Sequence, residues 1–382
     1  MKCSSCGSTM TYDVASYGLV CDHCGAKRQL HKPDEGVSVG EMDFESALRG
    51  AGTNWGVSRR LVTCKSCGAS MLFAPEQMSE LCPFCGSAIV LTPEEADCGI
   101  APNAMIPFSI TKEEVTEKFY RWNKFAFWSP EKFRKGKVLG NLTPIYIPYW
   151  TFDADVVITY SGRFGYTTSS GEDEKTNWYQ KSGIVEKHLD DHTVCGSRKF
   201  ANDKLLNSVT AFRESELIPY TPDALAGMPA EMYTIGLDEA WKNAQNKEMG
   251  KWITNACCVA NGADCYSDLK YSVEYHNLAY RYVLVPVWLT GCRYGGKIYN
   301  VAASGHNGTG NCNRPLSVAK LVTIVAFVMA CFILGMFIPY VNLLPALLVP
   351  IAIVAFVIYL VMVMNAMREQ RAQEAAKKDP EQ

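Results

Sequence analysis

No G-x4-G-K-S/T phosphate loop and no H-E-x-x-H helix occurs in these 382 residues, so neither a Walker-type nucleotide cradle nor a zincin-type protease centre is written into the chain. One glycine-rich stretch, Gly305 to Gly310, follows a hairpin pattern and precedes an apolar run, which is not the setting of a phosphate cradle. An excess of charge of either sign is missing too. Thirty-seven Lys and Arg stand against 39 Asp and Glu, net −2, and a globally basic surface for nucleic acid is not indicated. The sequence shows no secretory signal pattern, which points to a reducing compartment. No catalytic residue and no organic cofactor is assigned, and the chain reads as a non-enzyme.

Charge is absent altogether from Leu321 to Met367. The run holds two stretches of about 20 residues, the length that crosses a bilayer: Leu321 to Ile338, which continues the apolar stretch begun at Val318, and Leu343 to Met364, joined by a turn at Pro339 to Asn342. It predicts a transmembrane hairpin over residues 318–364. Arg314, Lys320, Arg368 and Arg371 flank it while the turn carries no positive charge. Both termini are therefore expected in the cytoplasm of a two-span protein of the cell membrane, with the lipid bilayer as a partner.

What the chain does contain is cysteine in a pattern. Cys3, Cys6, Cys21 and Cys24 read C-x2-C, fourteen residues, C-x2-C, and Cys64, Cys67, Cys82 and Cys85 repeat that spacing 61 residues later, with CSSCGSTM answering CKSCGASM. Each C-x2-C turn sets two thiolates on one side of a tight loop, and two such knuckles close a tetrahedral four-thiolate shell. A glycine follows the second cysteine of each knuckle (Gly7, Gly25, Gly68, Gly86), where a positive φ lets the chain wrap a metal. The spacing predicts a duplicated zinc ribbon with two zinc ions. With four cysteines per shell no position is left for water, so the zinc is expected to be structural.

The remainder predicts a multidomain chain: ribbon 1 at 1–30, a linker at 31–60, ribbon 2 at 61–92, an α+β, mainly antiparallel β, cytoplasmic domain at 93–313, the hairpin at 318–364 and a cytoplasmic tail at 365–382. Phe44, Ala47 and Leu48 suggest one or two helical turns within the linker. Thr111 to Glu114 is a capping box opening a helix with Val115, Phe119 and Trp122 on one face. Two strand units start at Pro144 and Tyr282. Each holds a hydrophobic-Pro-x-Trp element (Ile147 to Trp150, Val285 to Trp288), which suggests a fainter duplication. Gly295-Gly296 marks a hairpin turn, and Leu237, Trp241, Ala244 and Glu248 to Trp252 fit a long helix.

The other cysteines (Cys98, Cys195, Cys257, Cys258, Cys265, Cys292, Cys312, Cys331) are scattered. Cys257, Cys258 and Cys265 near His276 read as buried small hydrophobes rather than a redox or metal cluster. His188 and His192, spaced i,i+4 around Asp190 and Asp191, are the best candidates for an extra metal site if that stretch is helical; a strand and solvated loop is the expectation. Trp122, Phe125, Phe127 and Trp128 read as core rather than as a base-stacking platform.

Zinc ribbons invite nucleic acid, and local charge decides. Ribbon 1 sets Lys2, Lys27 and Arg28 against Asp13 and Asp22, ribbon 2 sets Lys65 against Glu76 and Glu80, and each four-thiolate zinc adds about two negative charges. Neither carries the cationic footprint that phosphate requires. Protein recognition is the better use.

The order of these features resembles a bacterial family: paired CxxCG ribbons, WNKFAFWSPEKF, TPIYIPYW, ELIPYTPDALAGMPAEMY, YVLVPVWL, HNGTG and a terminal apolar hairpin. That family comprises membrane-anchored proteins with a transcription-factor-IIB-type zinc ribbon, some of them labelled primosomal helicases, a label the missing phosphate loop does not suit. The resemblance covers nearly the whole chain and implies an envelope-stress adaptor whose partner is a phage-shock-protein A family or virion-core-like protein. The duplicated quartet and the thiols around Cys257 depart from it. The expected function is a non-enzymatic membrane-anchored adaptor docking a cytoplasmic protein; the alternative is a tethered nucleic-acid-binding or transcription-related regulator.

Overall fold

The computed structural model describes residues 2–30, 39–56, 59–73, 79–84, 87–90, 99–170, 173–201 and 203–337. In chain order these form β1 (Met10–Asp13), β2 (Gly18–Cys21), β3 (Lys27–Gln29), β4 (Met42–Asp43), α1 (Phe44–Gly50), β5 (Arg60–Thr63), β6 (Ser70–Phe73), β7 (Ser79–Leu81), β8 (Ala88–Val90), β9 (Ala104–Met105), α2 (Lys112–Asn123) and α3 (Glu131–Lys135). Then follow β10 (Thr143–Ser170), β11 (Asp173–Cys195), α4 (Lys204–Asn207), β12 (Ile218–Pro219), β13 (Ala230–Glu231), α5 (Leu237–Asn243), α6 (Met249–Asn261), β14 (Cys265–Tyr294), β15 (Lys297–Ser304), β16 (Gly310–Cys312) and α7 (Val318–Phe337).

The sheet is built on the antiparallel pair β10 and β14, in which Ile147 faces Val285 and Pro148 faces Leu284. Over 144–150 and 282–289 the two strands are apolar without alternation because both faces are covered there. Tyr146, Trp150, Phe152, Tyr282, Leu284 and Trp288 join one core cluster, and Ile145, Ile147, Tyr149, Val283, Val285 and Val287 join another. The carbonyls of the two mid-strand prolines are used by glycines outside the named strands: Gly196 N–H donates to Pro148 O and Gly305 N–H donates to Pro286 O, both at 2.8 Å.

The fainter duplication is real and reciprocal. Gly305 O accepts from the N–H groups of Ser109 and Ile110, and Gly196 O accepts from those of Thr234 and Ile235. Trp288 donates its indole N–H to Ile110 O and Trp150 donates its own to Ile235 O, both at 2.9 Å. Two residues beyond each isoleucine a helix begins, α2 at Lys112 and α5 at Leu237. The short strands follow the same rule, with Met105 parallel to Leu284 on β14 and Ala230 parallel to Tyr146 on β10. Each half thus supplies a short strand and a helix start that are held by the long strand of the other half. The glycine at 305 is a structural element of this device. A Cβ there would lie 2.4 Å from two Phe108 ring carbons, whereas at Gly196 it would meet Pro148 at 3.1 Å. Gly305→Ala is expected to cost about 1–3 kcal/mol by overpacking and Gly196→Ala less; equal urea midpoints for Gly305→Ala and wild type would count against this pairing.

Several expected elements are present: the Thr111 capping box, with Glu114 Oε2 accepting from Thr111 N–H at 2.7 Å, α1 in the segment expected as a linker, and the Gly295-Gly296 turn, both glycines at positive φ. The long helix is present with a π segment, Ala244–Glu248, between α5 and α6. The inter-ribbon segment also supplies core: Phe44, Trp55 and Arg59 are buried.

The membrane hairpin is corrected. Of its two spans only the first lies within the described residues, as α7, and no helix among the described residues is long and apolar enough to cross a membrane. The start of that run is not free apolar helix. Lys320 sits in its first turn and donates to the carbonyls of Phe127 at 2.7 Å and Ser129 at 3.0 Å. Residues 338–382, which hold the expected turn, second span and tail, lie outside the described residues. The two-span localisation in the cell membrane with cytoplasmic termini falls with the hairpin, and the lipid bilayer as a partner rested on the same segments. The aromatic expectation is corrected as well: Phe125, Phe127 and Trp128 are 78%, 55% and 42% exposed rather than core.

The chain divides into two units, Met1–Asn123 with Lys137–Asn313, and Lys124–Gly136 with Arg314–Gln382. Both ribbons belong to the first.

Candidate metal centre

Each knuckle is a short loop closed by the backbone. In the first, Cys3 N–H donates to Ser8 O and Gly7 N–H to Cys3 O; in the second, Cys21 N–H donates to Ala26 O and Gly25 N–H to Cys21 O; in the third, Cys64 N–H donates to Ala69 O and Gly68 N–H to Cys64 O, all at 2.7–2.9 Å. Cys82 N–H donates to Ser87 O in the fourth. Gly7, Gly25 and Gly68 have φ of 74°, 72° and 72°, a conformation glycine reaches without strain. The strands flanking the knuckles repeat with the sequence. Lys2 bridges Thr9 where Thr63 pairs with Ser70, and Val20 pairs with Lys27 where Leu81 pairs with Ala88.

These loops converge their sulfurs. Cys3, Cys6, Cys21 and Cys24 each place Sγ within 4.8 Å of the others, with Cys3 to Cys24 at 3.6 Å and Cys6 to Cys21 at 3.5 Å. A tetrahedral shell with metal–sulfur bonds of about 2.3 Å has sulfur–sulfur edges of about 3.8 Å, so the cluster fits a four-thiolate metal. Cys64, Cys67 and Cys82 form the second cluster, with Cys67 to Cys82 at 3.6 Å; Cys85 lies outside the described residues. The thiols of a cluster are shifted unequally: the Ser8 backbone N–H favours the Cys6 thiolate, but the neighbouring Cys21 and Cys24 sulfurs outweigh it and raise Cys6, whereas other thiols are lowered. Backbone N–H groups of Ser5 and Cys6 hold Cys3 down to about 6, and that of Cys24 lowers Cys21. Cys67 is pushed down to about 4, by the hydrogen bond from Cys82 first and then by the Lys199 ammonium.

The two ribbons seat on opposite faces of the β10–β14 pair. Met10, Tyr12 and Leu19 of ribbon 1 enter the cluster around Trp150, while Cys64, Met71, Phe73 and Cys82 of ribbon 2 enter the cluster around Ile147 and Val285. Ribbon 1 keeps its own three-stranded sheet and touches the core through a turn: Tyr12 N–H donates to Ala226 O at 2.9 Å and Arg28 pairs with Asp223 at 2.5 Å. In ribbon 2, β6 is a strand of the large sheet, with Leu72 facing Ala230 of β13.

Residues that spacing did not reveal complete the second centre. The Lys199 ammonium lies 4.6 Å from the Phe84 ring centroid and beside Cys67, and Phe84 packs on Phe200 at 4.8 Å. Glu231 is 1% exposed, accepts from Ser197 Oγ at 2.6 Å, and its Oε2 has no hydrogen-bond partner among the described residues. Burial pushes its carboxyl up to about 8. Only the fold could reveal these, since Lys199 and Glu231 come from the loop after β11 and from β13. Because the folded value is raised, the proton Glu231 retains stabilises the fold fully at pH below about 4.5. That contribution falls by at most about 1.4 kcal/mol per pH unit and is gone above about pH 8. Glu231→Gln is expected to remove this slope, so the variant gains on wild type between pH 5 and 8.5 in urea unfolding; parallel pH profiles would refute it.

Other candidates are placed apart. A bulge at Asp190 and Asp191 interrupts β11 between His188 and His192, so the two histidines do not converge; His188 pairs instead with Asp155 at 2.9 Å. Asp153, His188 and Asp190 lie close enough together to hold a cation, in surroundings already occupied by Arg281. Cys257 and Cys258 are buried on α6, and burial raises both thiols, as expected of inert core cysteines. His276 lies 3.8 Å from Glu274 at the surface. Gly36 to Gly40 spells G-x-S-x-G; its Ser38 lies outside the described residues, and Val39 O accepts from Arg281.

No family model matches the chain. No solved structure matches it either. The uncharacterized protein YdjG of Bacillus subtilis (strain 168) is 26% identical over 331 residues, which is 84% of this chain and 91% of that protein. A relative named only as uncharacterized carries no activity to this chain.

Proposed function

We propose that the chain is a non-enzymatic docking protein whose two ribbons each hold one structural zinc ion, through Cys3, Cys6, Cys21 and Cys24 and through Cys64, Cys67, Cys82 and Cys85. The observation that carries this reading is the placement of ribbon 1. Its strands bury Met10, Tyr12 and Leu19 in the core while the knuckle residues Ser4, Ser5, Asp22 and His23 stay exposed. A small module held rigidly by its base and presenting two metal-stiffened loops is preorganised for a protein surface. Of its three cationic residues Arg28 is committed to Asp223, and the four-thiolate zinc is anionic, which disfavours phosphate.

Because both ribbons supply core side chains, deleting them is a poor test; surface substitutions in the knuckles leave the core intact. Full-length tagged chain is compared with a Ser5→Arg, His23→Glu double variant, with nuclease present, and the phage-shock-protein A family is the first partner to try. Capture by wild type and loss by the variant, at unchanged zinc content, supports docking. Capture that vanishes with nuclease and falls steeply with salt would transfer the reading to nucleic acid.

A further inference from the structure

The ladder slips on both sides of β10 at one level. Asp153 stands opposite Asp190 and Asp191 of β11, and Ala154 stands opposite Asn277 and Leu278 of β14. Such bulges re-aim side chains. Thr151, Asp153 and Asp155 lie on one face of β10 by the pleat, with Arg281 opposite Thr151 and His188 opposite Asp155. At this level Asp153, His188 and Asp190 each offer one ligand atom within 4.8 Å of the others.

His188 is held in the way that metal-binding histidines are held. Its Nδ1 lies 2.9 Å from Asp155 Oδ1, while Asp155 Oδ2 accepts from Asn277 Nδ2 at 2.7 Å. A carboxylate only accepts, so Nδ1 carries the hydrogen and Nε2 is left to bind. An independent observation lies on the same face. Thr151 is wholly buried, and its Oγ1 has no hydrogen-bond partner among the described residues. A buried hydroxyl calls for a partner, and water on a cation at Asp153, the next residue along that face, supplies one. Arg281 does not take the cation's place: its one charge is shared among four carboxylates, and Asp153 is the most distant of them at 3.4 Å.

We propose that Asp153, His188 and Asp190 bind one divalent transition-metal ion, with Asp155 as the residue that positions His188. Two carboxylates and an imidazole suit manganese, iron or zinc, whereas magnesium and calcium prefer oxygen alone. The site shares no residue with the cysteine clusters and does not rest on the zinc reading. His188 and Asp190 are exposed, so water completes the coordination. Bound there, the ion ties the β11 bulge to the central strand. It does so beside the contacts of Arg281 with Glu41 and Glu214, which fasten the inter-ribbon segment and the 214–216 turn.

The test titrates manganese(II) chloride into the purified full-length chain near neutral pH and follows the loss of the aqueous manganese signal by electron paramagnetic resonance. One ion per chain is expected. His188→Ala and Asp190→Asn should each weaken binding at least about tenfold, and Asp155→Asn by a similar factor through the orientation of His188. Both ligand side chains replaced are exposed, so these variants should melt with wild type. His276→Ala is the control, since His276 also faces Asp155 but stands outside the cluster; its affinity should stay within about twofold of wild type, the range of context scatter. Magnesium at the same concentration should not displace the ion. Absence of binding, unchanged binding in His188→Ala or Asp190→Asn, an equal loss in His276→Ala, or equal displacement by magnesium would overturn the proposal and leave a solvated acidic patch.

Discussion

Cys82→Ala is expected to abolish the second metal centre and to unfold more than ribbon 2. Zinc held by four thiolates contributes on the order of 10–16 kcal/mol to a small module, comparable to the whole stability of a typical domain. In ribbon 2, on the zinc reading proposed above, that energy would act on the large sheet directly. Cys64 and Cys82 are buried with Met71, Phe73, Ile145 and Val285 in one cluster, and β6 pairs with β13, which lies on β10. The variant should therefore lose hydrogen-exchange protection at Tyr146 and Leu72 and melt at least 10 °C lower, on the order expected when a few kcal/mol are removed. Cys21→Ser is the control. It should release ribbon 1, whose strands form a sheet of their own, and leave β10 protected. Two variants with the same exchange pattern would show that the difference in sheet membership does not matter.

Arg281→Met is expected to destabilise the chain by about 3–5 kcal/mol, the range for removing one partner of a buried ionic group. The Arg281 side chain is 3% exposed and meets four carboxylates: Asp191 at 2.6 Å, Glu214 at 2.7 Å, Glu41 at 3.1 Å and Asp153 at 3.4 Å. It also donates to Val39 O at 3.0 Å. Those carboxylates come from the inter-ribbon segment, from β10, from the β11 bulge and from the turn at Glu214–Glu216. Even with the guanidinium in place, burial pushes Asp191 up to about 6 and raises Asp153 and Glu41. Without it they rise further. Acids with raised folded values stabilise below their unfolded range and lose that contribution as pH climbs through the folded value. The deficit of Arg281→Met should thus be larger at pH 8 than at pH 5. A deficit under about 1 kcal/mol, or one independent of pH, would mean that the hub is not a stabilising ion cluster.

What the sequence made legible is what local chemistry dictates. The four-cysteine spacing specified the sulfurs that converge, because a C-x2-C knuckle is closed by its own backbone. The Thr111 capping box and the Gly295-Gly296 turn are local in the same sense. The two Pro-x-Trp elements disclosed a duplication, but not that Ile147 and Val285 face each other, nor that each tryptophan reaches the helix start of the other half, since register is a long-range property. Arg281, Glu231 and Lys199 were invisible because their partners come from distant segments. The apolar run after Val318 was over-read: hydropathy scored the residues, while the hydrogen bonds of Lys320 to Phe127 and Ser129 depend on packing. The exposed Phe125, Phe127 and Trp128 were misplaced for the same reason, as composition does not say which aromatics find partners.

The most direct measurement is the metal content of the purified full-length chain by native mass spectrometry. Two zinc ions per chain are expected, falling to one when Cys3 and Cys6 are replaced by serine and to one when Cys64 and Cys67 are. A wild-type stoichiometry of one or none, or a content unchanged by either pair of substitutions, would contradict the two-centre arrangement.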